Sequence, residues 1–158
     1  MKRNTPEDIF KWALLELKKF GGNAPKIDEF LYRTFIPEVL KIPSNTLGEE
    51  LYNFLKKWQD MDEEWFKTAE RKSDEARAAR YSLDKQAAVM LGAYRELFKM
   101  LVELRDWLNK NMPAAFPDEL QAIILAVVEH ETEDFKKELE DLEKDLGEGP
   151  NEEDDENK

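Results

Sequence analysis

No cysteine occurs in the chain, which excludes disulfide frameworks, thiolate nucleophiles and cysteine-ligated metal sites. Histidine is nearly absent too, with His130 alone. Glycine and proline are scarce, at 6 and 7 of 158 residues, while 38% of the chain is charged. That balance favours long, water-exposed helices over a sheet protein. No long hydrophobic run exists. The segment after Met1-Lys2-Arg3-Asn4-Thr5-Pro6 is broken by Lys11, Glu16, Lys18 and Lys19, which is no signal-peptide core, and no window approaches a membrane span. A soluble, cytoplasmic protein without membrane contact is expected. Positive charge is missing from one end. Residues 112–158 carry four Lys/Arg against seventeen Asp/Glu, a balance of −13, whereas residues 1–58 balance at +2 and residues 59–111 at −1. A polyanion can approach the first third and is repelled by the last.

What is present is helical periodicity. Leu83, Ala87, Met90, Tyr94, Leu97, Leu101, Leu104 and Leu108 recur at alternating spacings of four and three. The positions flanking this seam include Leu91, Ala93, Phe98, Met100 and Trp107, where a two-stranded coiled coil would carry charges. The helix should therefore be enclosed, with Gly92 in a close helix contact and an apolar face left for a partner, a second copy or the N-terminal residues.

Taken in order, Thr5-Pro6-Glu7-Asp8 predicts a helix start, and Gly21-Gly22 ends that helix. A second helix is expected from Pro25 to about Phe35, stopped by Pro37. Thr46-Leu47-Gly48-Glu49 reads as a capping box opening a third. Eleven of the seventeen aromatics lie before residue 67, so these helices should share an aromatic core. Asp60, Asp62, Glu63 and Glu64 suggest a new start, and Met61–Asn111 holds no proline. A continuous helix through Ser82 is expected, reaching roughly 75 Å. Asn111–Phe116 is a tight reversal, and Pro117-Asp118-Glu119 begins a last helix with an apolar stripe from Leu120 to Leu146. The predicted fold is all-α. It has an N-terminal three-helix unit (1–59), a long antiparallel helical hairpin (60–146) and a disordered acidic tail (147–158).

Catalytic chemistry finds little support. His130, Glu133 and Asp134 share a helical face and offer three potential metal ligands, but the second Glu-x-x-His of a di-iron bundle is missing and a solvated acidic face is the simpler reading. Gly21-Gly22 lacks the Lys-Ser/Thr of a phosphate loop. No catalytic residue, metal or cofactor is assigned, and no small-molecule substrate is evident. The favoured expectation is a non-enzymatic interaction protein: an adaptor, assembly factor or inhibitor working through the hairpin and the acidic C-terminal surface, by self-association or with a protein partner. Leu91, Phe98 and Trp107 are its candidate apolar contacts. Lys67, Arg71, Lys72, Arg77 and Arg80 are candidate contacts to a nucleic-acid backbone, but they alternate with Glu70, Asp74 and Glu75, and a salt-bridge-laced solvent face is the simpler reading.

The alternative is a DNA-binding protein with a helix-turn-helix-like head in residues 1–58, where Ser44, Asn45, Thr46, Lys56 and Lys57 would meet phosphates. Against it stand the ten-residue link before the third helix and Glu49-Glu50 at that helix's start. The order of head, hairpin and acidic tail is similar in architecture to the small terminase subunits of tailed phages, a likeness that covers no diagnostic motif and assigns no family.

Overall fold

The computed structural model describes residues 5–78 and 83–146. Every element is helical, and no strand occurs among the described residues. The order is α1 (Pro6–Lys18), α2 (Ala24–Phe30), a π-helical turn (Leu31–Phe35), α3 (Ile36–Leu40), α4 (Ser44–Leu47), α5 (Glu49–Ala78), α6 (Leu83–Asn111) and α7 (Asp118–Asp145). The fold is all-α. The expected disordered tail, 147–158, lies outside the described residues.

The chain divides into two compact units that are interleaved in sequence: Met1–Glu63 with Leu104–His130, and Glu64–Glu103 with Glu131–Lys158. The expected boundary after residue 59 falls inside α5, which runs unbroken from Glu49 to Ala78. No helix starts at Asp60–Glu64.

In the first unit, α1 begins as its sequence dictates. Thr5 Oγ1 accepts from the Asp8 N–H at 3.2 Å, with Pro6 in the first turn. Asn23 caps α2 in the same way, accepting from the Lys26 N–H at 3.1 Å. Pro37 does not end the following helix. In a regular α-helix its ring would meet the Arg33 carbonyl, and it has no N–H to donate. The chain widens to π spacing instead, so that the Ile36 N–H donates to Leu31 O five residues back, and the backbone stays helical to Leu40. The expected capping box is also replaced. Thr46 is a helical residue of α4, and Gly48 takes the corner at φ 97°, its N–H donating to Ser44 O and its carbonyl accepting from Tyr52 N–H.

The core of this unit is aromatic and draws on both of its sequence segments. Phe116 is 1% exposed. It packs against Phe10 (5.1 Å), Phe54 (5.8 Å) and Phe35 (6.0 Å), all edge to face. Trp58 Nε1 donates to the Tyr32 hydroxyl at 2.9 Å. Around them Leu104, Leu108, Leu120, Ile124 and Val128 join Ile9, Leu31, Ile36 and Leu55 in one cluster. Gln121 fixes the reversal beneath Phe116 by donating to the Pro113 and Phe116 carbonyls.

In the second unit, Trp65 of α5 donates to the Leu97 carbonyl of α6 at 3.0 Å, and Lys72 pairs with Glu96 at 3.3 Å. A straight helix through Ser82 would hold residues 65 and 97 roughly 48 Å apart. The chain therefore reverses between α5 and α6, and the expectation of one straight continuous helix is overturned. Residues 79–82 themselves lie outside the described residues. Trp65 and Tyr94 both pack on Phe135 of α7, at 5.9 and 5.1 Å, and Arg95 pairs with Glu143 at 3.1 Å. Gly92 is exposed, and a Cβ there would meet nothing within 4 Å, so it makes no close helix contact.

Candidate interaction surfaces

The stretch of α6 at Leu91, Ala93 and Leu97 is closed within the chain, while the seam residues Met90 and Tyr94 beside it are half-buried. Leu91 is 1% exposed, and Ala93 and Leu97 are buried beside it, because this stretch of α6 packs against α5 as well as α7. Leu91 is thus not a contact offered to a partner. Phe98 is half-buried. Trp107 is half-buried in the first unit and stacks on Phe54 at 4.9 Å, so the N-terminal aromatic residues cover it. At Trp107 it is the N-terminal residues, through Phe54, that cover the apolar face.

The candidate cations are engaged locally. Arg71 pairs with Glu75 at 3.3 Å and Arg77 with Asp74, each along one face of α5, a pattern of short-range pairs rather than a patch of one sign. Lys67 is exposed on the same helix, and Arg80 lies outside the described residues. In the first unit the Lys57 ammonium sits over the Trp107 ring at 5.7 Å, and Lys56 donates to Gln59 Oε1. Ser44, Asn45 and Thr46 are exposed but belong to the one-turn α4. The five residues of the proposed phosphate contact are not arranged on one helix presented to a groove. α5, which would have to be the recognition helix, buries Leu51, Phe54, Leu55 and Trp58 and starts with Glu49-Glu50.

One carboxyl in the first unit departs far from its ordinary range. Burial pushes Asp62 up to about 7, and the neighbouring Asp28 and Glu63 carboxylates add to the shift. No group of three His, Asp or Glu among the described residues is set to hold a metal ion. His130 is exposed. No helix is long and apolar enough to cross a membrane, among the described residues.

Among the described residues, two surface recesses bear on function. In the first unit Phe20 and Phe30 floor a hollow of about 390 Å³ rimmed by Lys26, Glu29, Arg33 and Thr34. Its charges are of both signs, and Arg33 already faces Glu29 at 3.9 Å. In the second unit a groove of about 440 Å³ runs between α6 and α7. Met90, Tyr94 and Leu142 form its floor, and Glu138, Asp141 and Asp145 its rim. Here the charge has one sign. None of these six residues stands out by type. The signal that marks them is spacing, since Glu138, Asp141, Leu142 and Asp145 fall at i, i+3, i+4 and i+7 and so share one stripe of α7. No protein-family model, curated protein or solved structure matches the chain.

Proposed function

We propose that this chain is a non-enzymatic helical interaction protein, an adaptor, assembly factor or inhibitor, that engages a basic protein partner through the acidic surface of α7. The observation that carries this reading is the segregation of charge. Seventeen of the 36 acids, against four of the 24 Lys/Arg, fall after residue 111. Glu133, Glu138, Glu140, Asp141 and Asp145 are exposed on α7 itself. Lys136, Lys137 and Lys144 are also exposed on α7, but acids outnumber them. A surface with an excess of one sign steers and selects partners of the other, and its contribution is felt over about a Debye length, near 8 Å at physiological salt. In this reading α6 and α7 act as an antiparallel hairpin that presents the acids, and residues 147–158 extend the field as a disordered tail. Self-association through Leu91 and Ala93 is not part of it, because both are enclosed within the chain.

Immobilised full-length protein should retain a reproducible set of basic proteins from an extract of its native host. About 0.3 M salt should release them, as expected for contacts made across screened, exposed charges. Replacing Glu133, Glu138, Glu140, Asp141 and Asp145 by Gln or Asn should abolish retention. Retention of the same proteins by this neutralised variant would remove the basis for the proposal.

A further inference from the structure

Resting on the reading that a basic protein is the partner, we infer that the groove between α6 and α7 in the second unit is the docking site for a basic amphipathic helix of that partner. The floor is apolar and comes from both walls: Met90 and Tyr94 from α6, Leu142 from α7. Met90 and Tyr94 are four residues apart, one helical turn. The stripe Glu138–Asp141–Leu142–Asp145 covers two turns. A recess of this shape matches side chains that project at i and i+3 or i+4 from an elongated helix, whose neighbouring Cβ atoms lie about 5–6 Å apart. The unbranched thioether of Met90 lets the floor adjust to the anchors it receives.

The rim decides the occupant. Three carboxylates border an apolar floor, so the complementary ligand carries apolar anchors flanked by Lys or Arg. Acidic segments, nucleic acid and the α7 surface of a second copy all meet like charge there, which discriminates against them. The recess between Phe20 and Arg33 lacks this selectivity, since its rim has Lys26 and Arg33 beside Glu29.

The test uses the full-length chain and a fluorescein-labelled synthetic helix of about 18 residues, long enough for five turns. It carries Leu at i, i+3, i+4 and i+7 and Lys elsewhere, and binding is read by anisotropy at about 50 mM salt. A scrambled peptide of the same composition is the first control. Two triple variants are compared: Glu138→Lys, Asp141→Lys, Asp145→Lys in the groove, and Glu64→Lys, Glu70→Lys, Glu103→Lys on exposed positions outside both the groove and α7. Circular dichroism melting confirms that both fold. The groove variant should bind the amphipathic helix at least about tenfold more weakly, the outside variant within about threefold of wild type, and the scrambled peptide about tenfold more weakly than the helix.

Equal losses from both variants, or equal binding of the scrambled peptide, would overturn the groove while leaving a general acidic surface in place. Failure of wild type to bind either Lys-rich peptide would count against both the groove and the acidic-surface reading. Displacement of both peptides alike by spermine would assign the groove to a small polycation, and dimerisation lost in the groove variant would assign it to a second copy. Either result overturns the proposal.

Discussion

Phe116→Ala is expected to cost roughly 3–5 kcal/mol and to lower the melting temperature by about 10 °C or more, the range for deleting a fully buried ring in a chain of this size. The side chain is 1% exposed and touches three other rings, from α1, the π-helical turn and α5. Truncation removes all three edge-to-face contacts and leaves a void that Gln121, holding the loop at the Pro113 and Phe116 carbonyls, prevents from collapsing. Phe116→Leu keeps most of the volume and should lose about 1–1.5 kcal/mol, so the pair separates ring loss from loop disruption. The same geometry predicts that residues 1–63 alone do not fold, because Leu104, Leu108, Phe116, Leu120 and Ile124 complete their core. Thermal melts followed by near-ultraviolet circular dichroism check both statements. A melting temperature within about 2 °C of wild type for Phe116→Ala would show that the ring is not central.

Asp62→Asn is expected to stabilise the protein above neutral pH and to be neutral in acid. Burial first, then Asp28 and Glu63, raise the Asp62 carboxyl from an ordinary 3.8 to about 7. The folded state therefore holds a proton that the unfolded chain releases near 3.8. Stability from this group is fully present below pH 3.8, falls as pH rises, and is lost once pH passes about 7. Because the carboxyl keeps part of its hydration, the usable effect is about 1–2 kcal/mol rather than the full linkage value. Asn presents a neutral amide at all pH. The difference in melting temperature between variant and wild type should be near zero at about pH 4 and grow to about 2–6 °C at about pH 8. A difference independent of pH would show that Asp62 titrates normally.

Much of the helical content follows from local chemistry. Thr5-Pro6 before two acids, Gly21 at φ 58°, and Pro117-Asp118-Glu119 each mark an end that the backbone obeys. Local signals misled where tertiary packing opposed them. Asp60, Asp62, Glu63 and Glu64 look like a helix start, yet Leu51, Leu55, Trp58, Met61, Trp65 and Thr68, buried or half-buried, continue a three-four stripe straight through them. The buried stripe outweighs the dipole preference of four acids, each worth only a few tenths of a kcal/mol when exposed. Pro37 failed as a stop because a π-helical turn re-registers the carbonyls before it, and no composition rule announces that widening. The place of Phe116 was hidden for another reason. It lies roughly 60 to 110 residues from Phe54, Phe35 and Phe10 in sequence, and only the tertiary packing of the first unit brings it among them. The groove was half visible. Its rim and one floor residue share a stripe of α7, but Met90 and Tyr94 complete it only through the register of α6 against α7.

Hydrogen–deuterium exchange of the full-length chain, alone and saturated with the basic partner it retains, tests the functional account most directly. Slower exchange should be confined to residues 88–96 and 136–146, with residues 6–58 unchanged. Protection centred on the first unit, or none along α7, would contradict it.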